Sequence, residues 1–465
     1  MLARETIAEQ IAGWAARLRF DDLPLEVEER IRLLILDHVA VTLGGIRHQA
    51  TRPVLDTVAP EGSGNASGVP VWGAGRTARL EDTVLVHATA ASALDFDDVH
   101  LGAGIHPGAT CLPVILGIAM ERRIPLSEVI AAAAVAYETM VRVGMAVFPA
   151  SRDHGFHATP VMGSIGAAVG AARLLGLPAA ALADAISLAA MNAGGLFAYH
   201  GSWIEPSRVQ IGRVAREGLL CARLAGNGTA GPRDVFENRD GFLNAFSGSI
   251  DRNRMTDGLG SDWHLMMTEP KLYPFCKQTY GAIEAAMKLR RRQATLHAIR
   301  SITVETTHSA AALPSSYPQN ADAAVLSLRY AISSTLHLGT PGMRHLSEDV
   351  LADPGVADLF HRIQVIGSPD LSRRFPPQTP ASIVTTLTDG TLLHASADGD
   401  GVLQDQSLEA DGLARKFTEL AVPVIGDVIS QQLWVTGRTT TDQAFADLLE
   451  TLQHPLSAST GLVSR

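Results

Sequence analysis

From residue 4 to about residue 265 the apolar residues recur with the helical period almost without a break, and nothing else in the chain limits its fold as strongly. The segments also carry helix end signals. "DLPLEVEERIRLLILDHVAVTLGG" (22–45) opens with Pro24, keeps acids in its first turns and stops at Gly44-Gly45. "PLSEVIAAAAVAYETMVRVG" (125–144) offers Ser127 as an N-cap. "PVMGSIGAAVGAARLLGL" (160–177), with Thr159 as N-cap and Pro160 as the first helical residue, places Gly163, Gly166 and Gly170 on one face. Small residues there let a second helix approach closely.

The texture changes near residue 267. "HAIRSITVETTHSA" (297–310) and "FHRIQVIGSP" (360–369) carry β-branched strand patterns. "ASIVTTLTDGTLLHASA" (381–397) is two alternating runs joined by Asp389-Gly390, a strong hairpin signal. Helical runs at 278–292 and 320–338 lie between these strands, and helices return after "DGDG" (398–401). At 465 residues the chain is too long for one ordinary core. The expected fold is therefore mostly α: a discontinuous helical domain, residues 1–266 and 400–465, with a smaller α+β lid domain, 267–399, inserted into it.

A formal net charge of -10 argues against nucleic acid as the main partner. Cys111, Cys221 and Cys276 are widely spaced and odd in number, which indicates neither a disulfide framework nor a zinc knuckle. The first twenty residues scatter charges through an amphipathic pattern and do not read as a signal peptide. The most apolar window, around 129–147, contains Glu138 and Arg142 and falls short of a membrane span in this reading. The expectation is a cytoplasmic protein that engages neither membrane nor nucleic acid.

Ionisable groups concentrate in "ALDFDDVHLGAGIHPGAT" (93–110), which holds Asp95, Asp97, Asp98, His100 and His106. The acids follow a helix C-terminus, an unfavourable place for carboxylates unless cations sit nearby. A helix begins after Pro107, and its first N–H groups offer a place for a substrate carboxylate. A second cluster, "RDHGFHATPVMG" (152–163), sets His154 and His157 at another helix mouth. Histidine is the side chain that moves protons near neutral pH. "WIEPSRVQIG" (203–212) places Arg208 in a loop before a helix, where it can grip a carboxylate in two-toothed fashion.

The chain has four lysines among 38 basic residues, so each is an unusual choice. Lysine, unlike arginine, can give up its proton when desolvated. Lys271 lies where the helical domain hands over to the inserted one, and Tyr280 follows at the next helix start. Domain boundaries favour substrate clefts. No Walker lysine, Rossmann glycine pattern in context, nucleophile elbow or iron–sulfur cysteine set is present, so no cofactor is expected. A metal held by the Asp/His loop is the weaker alternative.

"ALDFDDVH…HPGATCLPVILGIAMERR", "GFHATPVMGSIGAAVGAARLLGL", "RVQIGRVAREGLLCARLAG" and "PKLYPFCKQTYGAIEAA" together resemble the MmgE/PrpD family, whose members include 2-methylcitrate dehydratase, cis-aconitate decarboxylase and iminodisuccinate epimerase. The likeness runs over nearly the whole chain. It implies a helical large domain, a lid domain, a homodimer, and cofactor-free chemistry on a small polycarboxylate. By this resemblance Asp95 is similar to the family's first loop acid, His106 to the HP-motif histidine, His157 to the histidine of GFH-x-T, and Lys271 to the lysine before the aromatic-Pro. The chain departs at Val99, where decarboxylase-like members have Thr, and at Ser207, where they have Lys. Tyr317 is the nearest counterpart of a substrate-contacting tyrosine.

The expectation is thus a metal-free lyase that dehydrates or decarboxylates a di- or tricarboxylate such as 2-methylcitrate or cis-aconitate. His106, His157, Lys271 and Asp95 carry the proton transfers; Arg208, Asp98, His100, Tyr280 and Tyr317 bind substrate. An epimerase of a dicarboxylate, or a non-catalytic helical dimer that binds a metabolite, are the alternatives.

Overall fold

The computed structural model describes residues 5–62, 68–199, 205–249, 252–292, 298–400 and 406–453. The protein is mostly α. Its chain forms two compact units, Met1–Pro270 with Leu420–Arg465, and Lys271–Glu419.

The first unit is helical. In order it contains α1 (Ile7–Arg17), α2 (Leu25–Gly45), α3 (Arg52–Val58), a small hairpin β1 (Val69–Val71) and β2 (Arg76–Ala78), α4 (Leu80–Ala93), α5 (Gly108–Arg122), α6 (Leu126–Val147), α7 (Ala150–Asp153), α8 (Ala158–Leu174), α9 (Ala179–Met191), α10 (Glu205–Gly226), α11 (Phe242–Ser247) and α12 (Arg252–Thr256). Helices Asp427–Thr439 and Ala444–Glu450 complete it.

α8 is its centre. A helix that is apolar all round must be buried, and α8 packs against α5, α6, α9 and α10. The glycine face expected from the sequence lies on α5. A Cβ at Gly163 would meet Thr110 at 2.7 Å, one at Gly166 would meet Cys111 Sγ at 2.8 Å, and one at Gly170 would meet Ile115 at 2.7 Å. Each methyl added there would overpack the contact, at a cost of about 1–3 kcal/mol.

Two helix starts differ from expectation. Ser127 lies inside α6, whose N-cap is Pro125, and its N–H donates to Thr441 O. α8 begins at Ala158 with His157 in the N-cap position, so Thr159 and Pro160 fall inside the first turn. Proline is tolerated there because the first N–H groups of a helix have no intrahelical acceptor. The helix thus starts two residues early, and Thr159 Oγ1 is released to accept the backbone N–H of His106 at 3.1 Å.

α6 is more apolar than the sequence reading allowed. It is long and apolar enough to cross a membrane, but 94% of its apolar window is buried inside the protein. Its two buried charges neutralise one another: Arg142 Nε donates to Glu138 Oε1 at 2.7 Å. Arg142 also donates to the carbonyls of Asp257, Gly258 and Asp262, and Glu138 accepts from His264 N and Leu265 N. The pair therefore clamps segment 257–265 onto α6. Four residues further on, Glu269 pairs with Val99 of the acidic loop in an antiparallel bridge.

The second unit is α+β. Its sheet has the order β4-β3-β5-β6, formed by β3 (Ile299–Thr306), β4 (Ile363–Gly367), β5 (Ala381–Leu387) and β6 (Leu392–Ala397). β4 runs parallel to β3, and β5 runs antiparallel to both β3 and β6. The β5–β6 hairpin turns at Asp389-Gly390, where Gly390 takes φ 89°, a conformation favourable only for glycine. Ile302, Val304 and Ile383 pack with Ala282, Ala286 and Leu289 of the helix Tyr280–Arg292 and with Ile332 and Leu336 of Leu328–Leu338. The chain returns to the first unit at Leu420, inside the helix Gln406–Ile425. The glycine-rich stretch at 398–401 does not mark the change, because this helix's earlier part packs within the second unit. Gly412 there lies so close to Leu272 that a Cβ would meet its methyl at 2.6 Å.

Candidate active site

The acidic loop begins with an unusual backbone. Asp95, just past the C-terminus of α4, takes φ 50°, in the left-handed region that few non-glycine residues adopt. Such strain persists where the surroundings over-determine it, and it clusters at functional sites. Here the carboxylate is held in an ion pair with Arg208 at 3.6 Å, and both side chains are mostly buried. Arg208 lies inside α10, not in a loop before it. Pro206 sits in the first turn of that helix, where its missing N–H costs nothing, so the helix starts earlier than the proline suggested. Nε of Arg208 is buried and makes no hydrogen bond among the described residues.

Asp97 and His106 form the second pair. Asp97 Oδ2 lies 3.4 Å from His106 Nδ1, and the aspartate is buried while the histidine side chain keeps 25% exposure. Asp97 Oδ1 is buried and makes no hydrogen bond among the described residues. A carboxylate beside an imidazole favours positive charge on the ring when it takes up a proton.

Asp98 does something else. Its Oδ1 accepts the Gly108 N–H at 2.9 Å, and Tyr137 OH donates to Oδ2 at 2.7 Å. The expected anion site at the mouth of α5 is thus occupied by the protein's own side chain. The first N–H of the helix, which has no intrahelical acceptor, is met by the carboxyl that stands ten residues upstream. The fit is tight, for a Cβ at Gly108 would meet the Asp98 carboxyl and Tyr137 OH, both at 2.7 Å. Burial, with Asp37 and Asp97 nearby, pushes the Asp98 carboxyl up to about 8. Asp98 is therefore a neutral acid at pH 7 and a structural group, not the substrate ligand expected.

His100 is likewise absorbed by the loop. Its Nδ1 accepts from Ala103 N at 3.0 Å, so the proton sits on Nε2, which reaches His264 O at 3.2 Å. Burial lowers its pKa to about 4. Its backbone pairs with Ile105, closing residues 100–105 into a small turn that delivers His106. With both ring nitrogens engaged, His100 positions the loop and has no nitrogen left for substrate.

The third group is His157. Its Nδ1 lies 3.1 Å from Gln210 Oε1 of α10, and its backbone N–H donates to Gly195 O. Although the residue keeps an exposed edge, burial lowers its pKa to about 3, so it is neutral. The His106 N–H bonds to Thr159, two residues beyond His157, and Gln210, which meets the His157 ring, lies two residues beyond Arg208 on α10, so the loop, α8 and α10 bring His106, His157, Arg208 and its partner Asp95 together. His154, by contrast, is exposed.

Sequence reasoning missed two members. Tyr199 stacks edge-on to His157, 5.2 Å between ring centroids, and forms a hydrogen bond with Ser207. Its hydroxyl is pushed up by burial and feels both Arg208 and Asp95. It arrives on a strap, residues 194–199, tied down by Phe197 N to Gly155 O, by Arg152 over the Phe197 ring, and by Gln210. The Gly194-Gly195 pair was the only signal of that strap. Gln210, two residues beyond Arg208 on α10, carried none.

Three expected residues belong to the second unit. Lys271 is its first residue and is buried. Tyr280 is fully buried, and its hydroxyl donates to Tyr273 O and accepts from Tyr273 N. Tyr317 donates to Leu351 O and packs edge-on to Phe360. Both tyrosines thus donate to backbone within that unit; Tyr280 is fully buried there, while Tyr317 keeps part of its surface exposed.

The first unit therefore gathers one guanidinium, a neutral histidine, a second histidine against a carboxylate, and a phenol. Such a set can hold an anion and move a proton beside it.

Comparison with known proteins gives a consistent picture. Residues 9–254 match the model of the MmgE/PrpD N-terminal domain, and residues 273–438 match that of the MmgE/PrpD C-terminal domain. A cis-aconitate decarboxylase of Aspergillus terreus is 30% identical over 388 residues, covering 78% of each chain. A cis-aconitate decarboxylase-like protein of Aspergillus oryzae is 28% identical over 90% of this chain and 91% of its own. A cis-aconitate decarboxylase of Mus musculus is 24% identical over 89% and 86%.

Proposed function

The chain belongs to the MmgE/PrpD family and is a lyase, and from that premise we propose that it decarboxylates a small unsaturated tricarboxylate of the cis-aconitate kind by side-chain acid–base chemistry alone. The names of its relatives support the substrate class. The observation that carries the mechanism is the cluster of Arg208, Asp95, His106 and His157 within one unit.

Loss of CO2 from such a substrate breaks one C–C bond. The electron pair left behind spreads over the adjacent double bond onto a carboxylate, and one proton then quenches it at carbon. Arg208 holds a carboxylate and stabilises the charge that develops on it. Asp95, paired with the guanidinium at 3.6 Å, holds it in place. His106, with Asp97 beside its ring, delivers that proton to carbon and regains one from water, while neutral His157 offers its unprotonated nitrogen as an acceptor beside the substrate.

The test is a panel of di- and tricarboxylates followed by proton NMR and by CO2 release, with and without EDTA. Release of one CO2 per cis-aconitate consumed, unchanged by chelation, is the expected result. Water loss without CO2, or turnover abolished by EDTA, would refute the proposal.

A further inference from the structure

His157 is a base only through the nitrogen that carries no proton, and the structure holds the group that decides which nitrogen that is. We infer that Gln210 is a positioning residue that locks His157 in the Nδ1–H form and so leaves Nε2 as the basic atom. This rests on the role given above to His157, which it makes specific.

The argument is one of donors and acceptors. Leu196 O, a carbonyl, can only accept, so the Gln210 amide nitrogen that lies 3.1 Å away must donate to it. The amide oxygen is then the atom facing His157 Nδ1, at 3.1 Å. Turning the amide over would set oxygen against oxygen at Leu196 and nitrogen against nitrogen or N–H at the ring. An amide oxygen only accepts, so Nδ1 must carry the hydrogen. The other end of the relay is also fixed. Leu196 lies on the strap that pairs with Phe156 and receives the His157 backbone N–H at Gly195 O, so the ring and the acceptor that orients it move together. A neutral amide, unlike a carboxylate, adds no negative charge, and the ring stays uncharged beside Arg208.

Among the described residues, the charged and titratable groups around His157 are Asp95 and His106 from the acidic loop, Arg208 from α10, and Tyr199 from the strap. Replacing Gln210 by Glu puts a carboxylate where the amide oxygen stands. An opposite charge at this distance raises a histidine pKa by about one to three pH units. From about 3 the ring would then titrate between about 4 and 6.

The experiment has two readouts. The first is the nitrogen NMR spectrum of protein labelled with 15N-histidine, assigned to His157 by difference with His157→Gln. It should show a protonated Nδ1 and an unprotonated Nε2 between pH 6 and 8; the reverse tautomer would overturn the inference whether or not any substrate is turned over. The second is the pH profile of turnover. Gln210→Glu should bring an acid limb into the range of about pH 4–6 where the native enzyme shows none from this group. Gln210→Met, of similar size but without the acceptor, should mix the two tautomers in the NMR spectrum and lower kcat while KM holds. A native spectrum in Gln210→Met, with unfolding unchanged, would likewise overturn it. If the tautomer is as described but no polycarboxylate is turned over, the inference stands and the decarboxylase reading falls.

Discussion

Replacing Asp98 by Asn should flatten the pH dependence of stability in the first unit. In the folded protein Asp98 protonates with a pKa of about 8, against an ordinary value of 3.8, because burial disfavours its charged form. A raised folded-state pKa means that the folded protein holds a proton the unfolded chain has lost. Stability from this group is therefore complete below about 3.8, drains as pH rises from there, and is gone once pH passes about 8. The gap of about four pH units corresponds, at about 1.36 kcal/mol per unit, to a ceiling of about 5–6 kcal/mol. Asn has the shape of the protonated acid. Its oxygen can still accept the Gly108 N–H, and it does not titrate. All five tryptophans lie in the first unit by residue number, so intrinsic fluorescence during urea unfolding reports on that unit. Between pH 5 and 8.5 the unfolding free energy of the native protein should fall by several kcal/mol relative to the variant, since the other titrating groups cancel in the difference. Parallel curves for the two proteins would show that Asp98 is ionised throughout and that the account of the α5 mouth is wrong.

Other outcomes follow from the same geometry. Arg208→Lys keeps the charge but loses the planar fork, and should lower kcat/KM for a tricarboxylate by about 10–100-fold, through both a higher KM and a lower kcat; an unchanged kcat/KM removes Arg208 from the site. Glu138→Ala strands Arg142 in the core and should cost about 3–5 kcal/mol, read as a lower urea midpoint by fluorescence. His106→Gln should lower kcat by about 10²–10⁴-fold with native unfolding behaviour. Lys271→Ala tests whether the second unit's first residue takes part at all, and the expected result is at least about a tenfold loss of turnover; near-normal rates in both variants would dismiss these assignments.

What the sequence made legible was what is local. Helix ends such as Gly44-Gly45, the Asp389-Gly390 turn and the glycine face of α8 each depend on a few neighbouring residues, and each appears where expected. His106 and His157 could be singled out because histidines at helix mouths are chemically conspicuous. What escaped depends on distant contacts. α10 starts at Glu205, with Pro206 in its first turn, and this moved Arg208 from the expected loop into the helix. Tyr199 and Gln210 carry no local signature; one rides a glycine strap and the other a helix face, and only the fold brings them to the same ring. Tyr280 and Tyr317 donate their hydroxyls to the backbone carbonyls of Tyr273 and Leu351, contacts that no local pattern announces.

The same contrast explains how a loop with three carboxylates can belong to a site for an anion. Read as a sequence, Asp95, Asp97 and Asp98 set three negative charges within four residues, a field that would repel a polycarboxylate. In the fold they part ways. Asp98 turns onto the α5 N-terminus and stays protonated at neutral pH, so it contributes no charge. The Asp95 charge is balanced by Arg208, and the Asp97 charge lies against His106, which cancels it whenever that ring carries the proton to be delivered. At the moment of proton delivery the loop and its partners are close to neutral, and the field no longer repels a carboxylate. Keeping one of three acids un-ionised by burial is thus what makes the other two usable, one to aim a guanidinium and one to steady an imidazolium, without closing the site to its substrate.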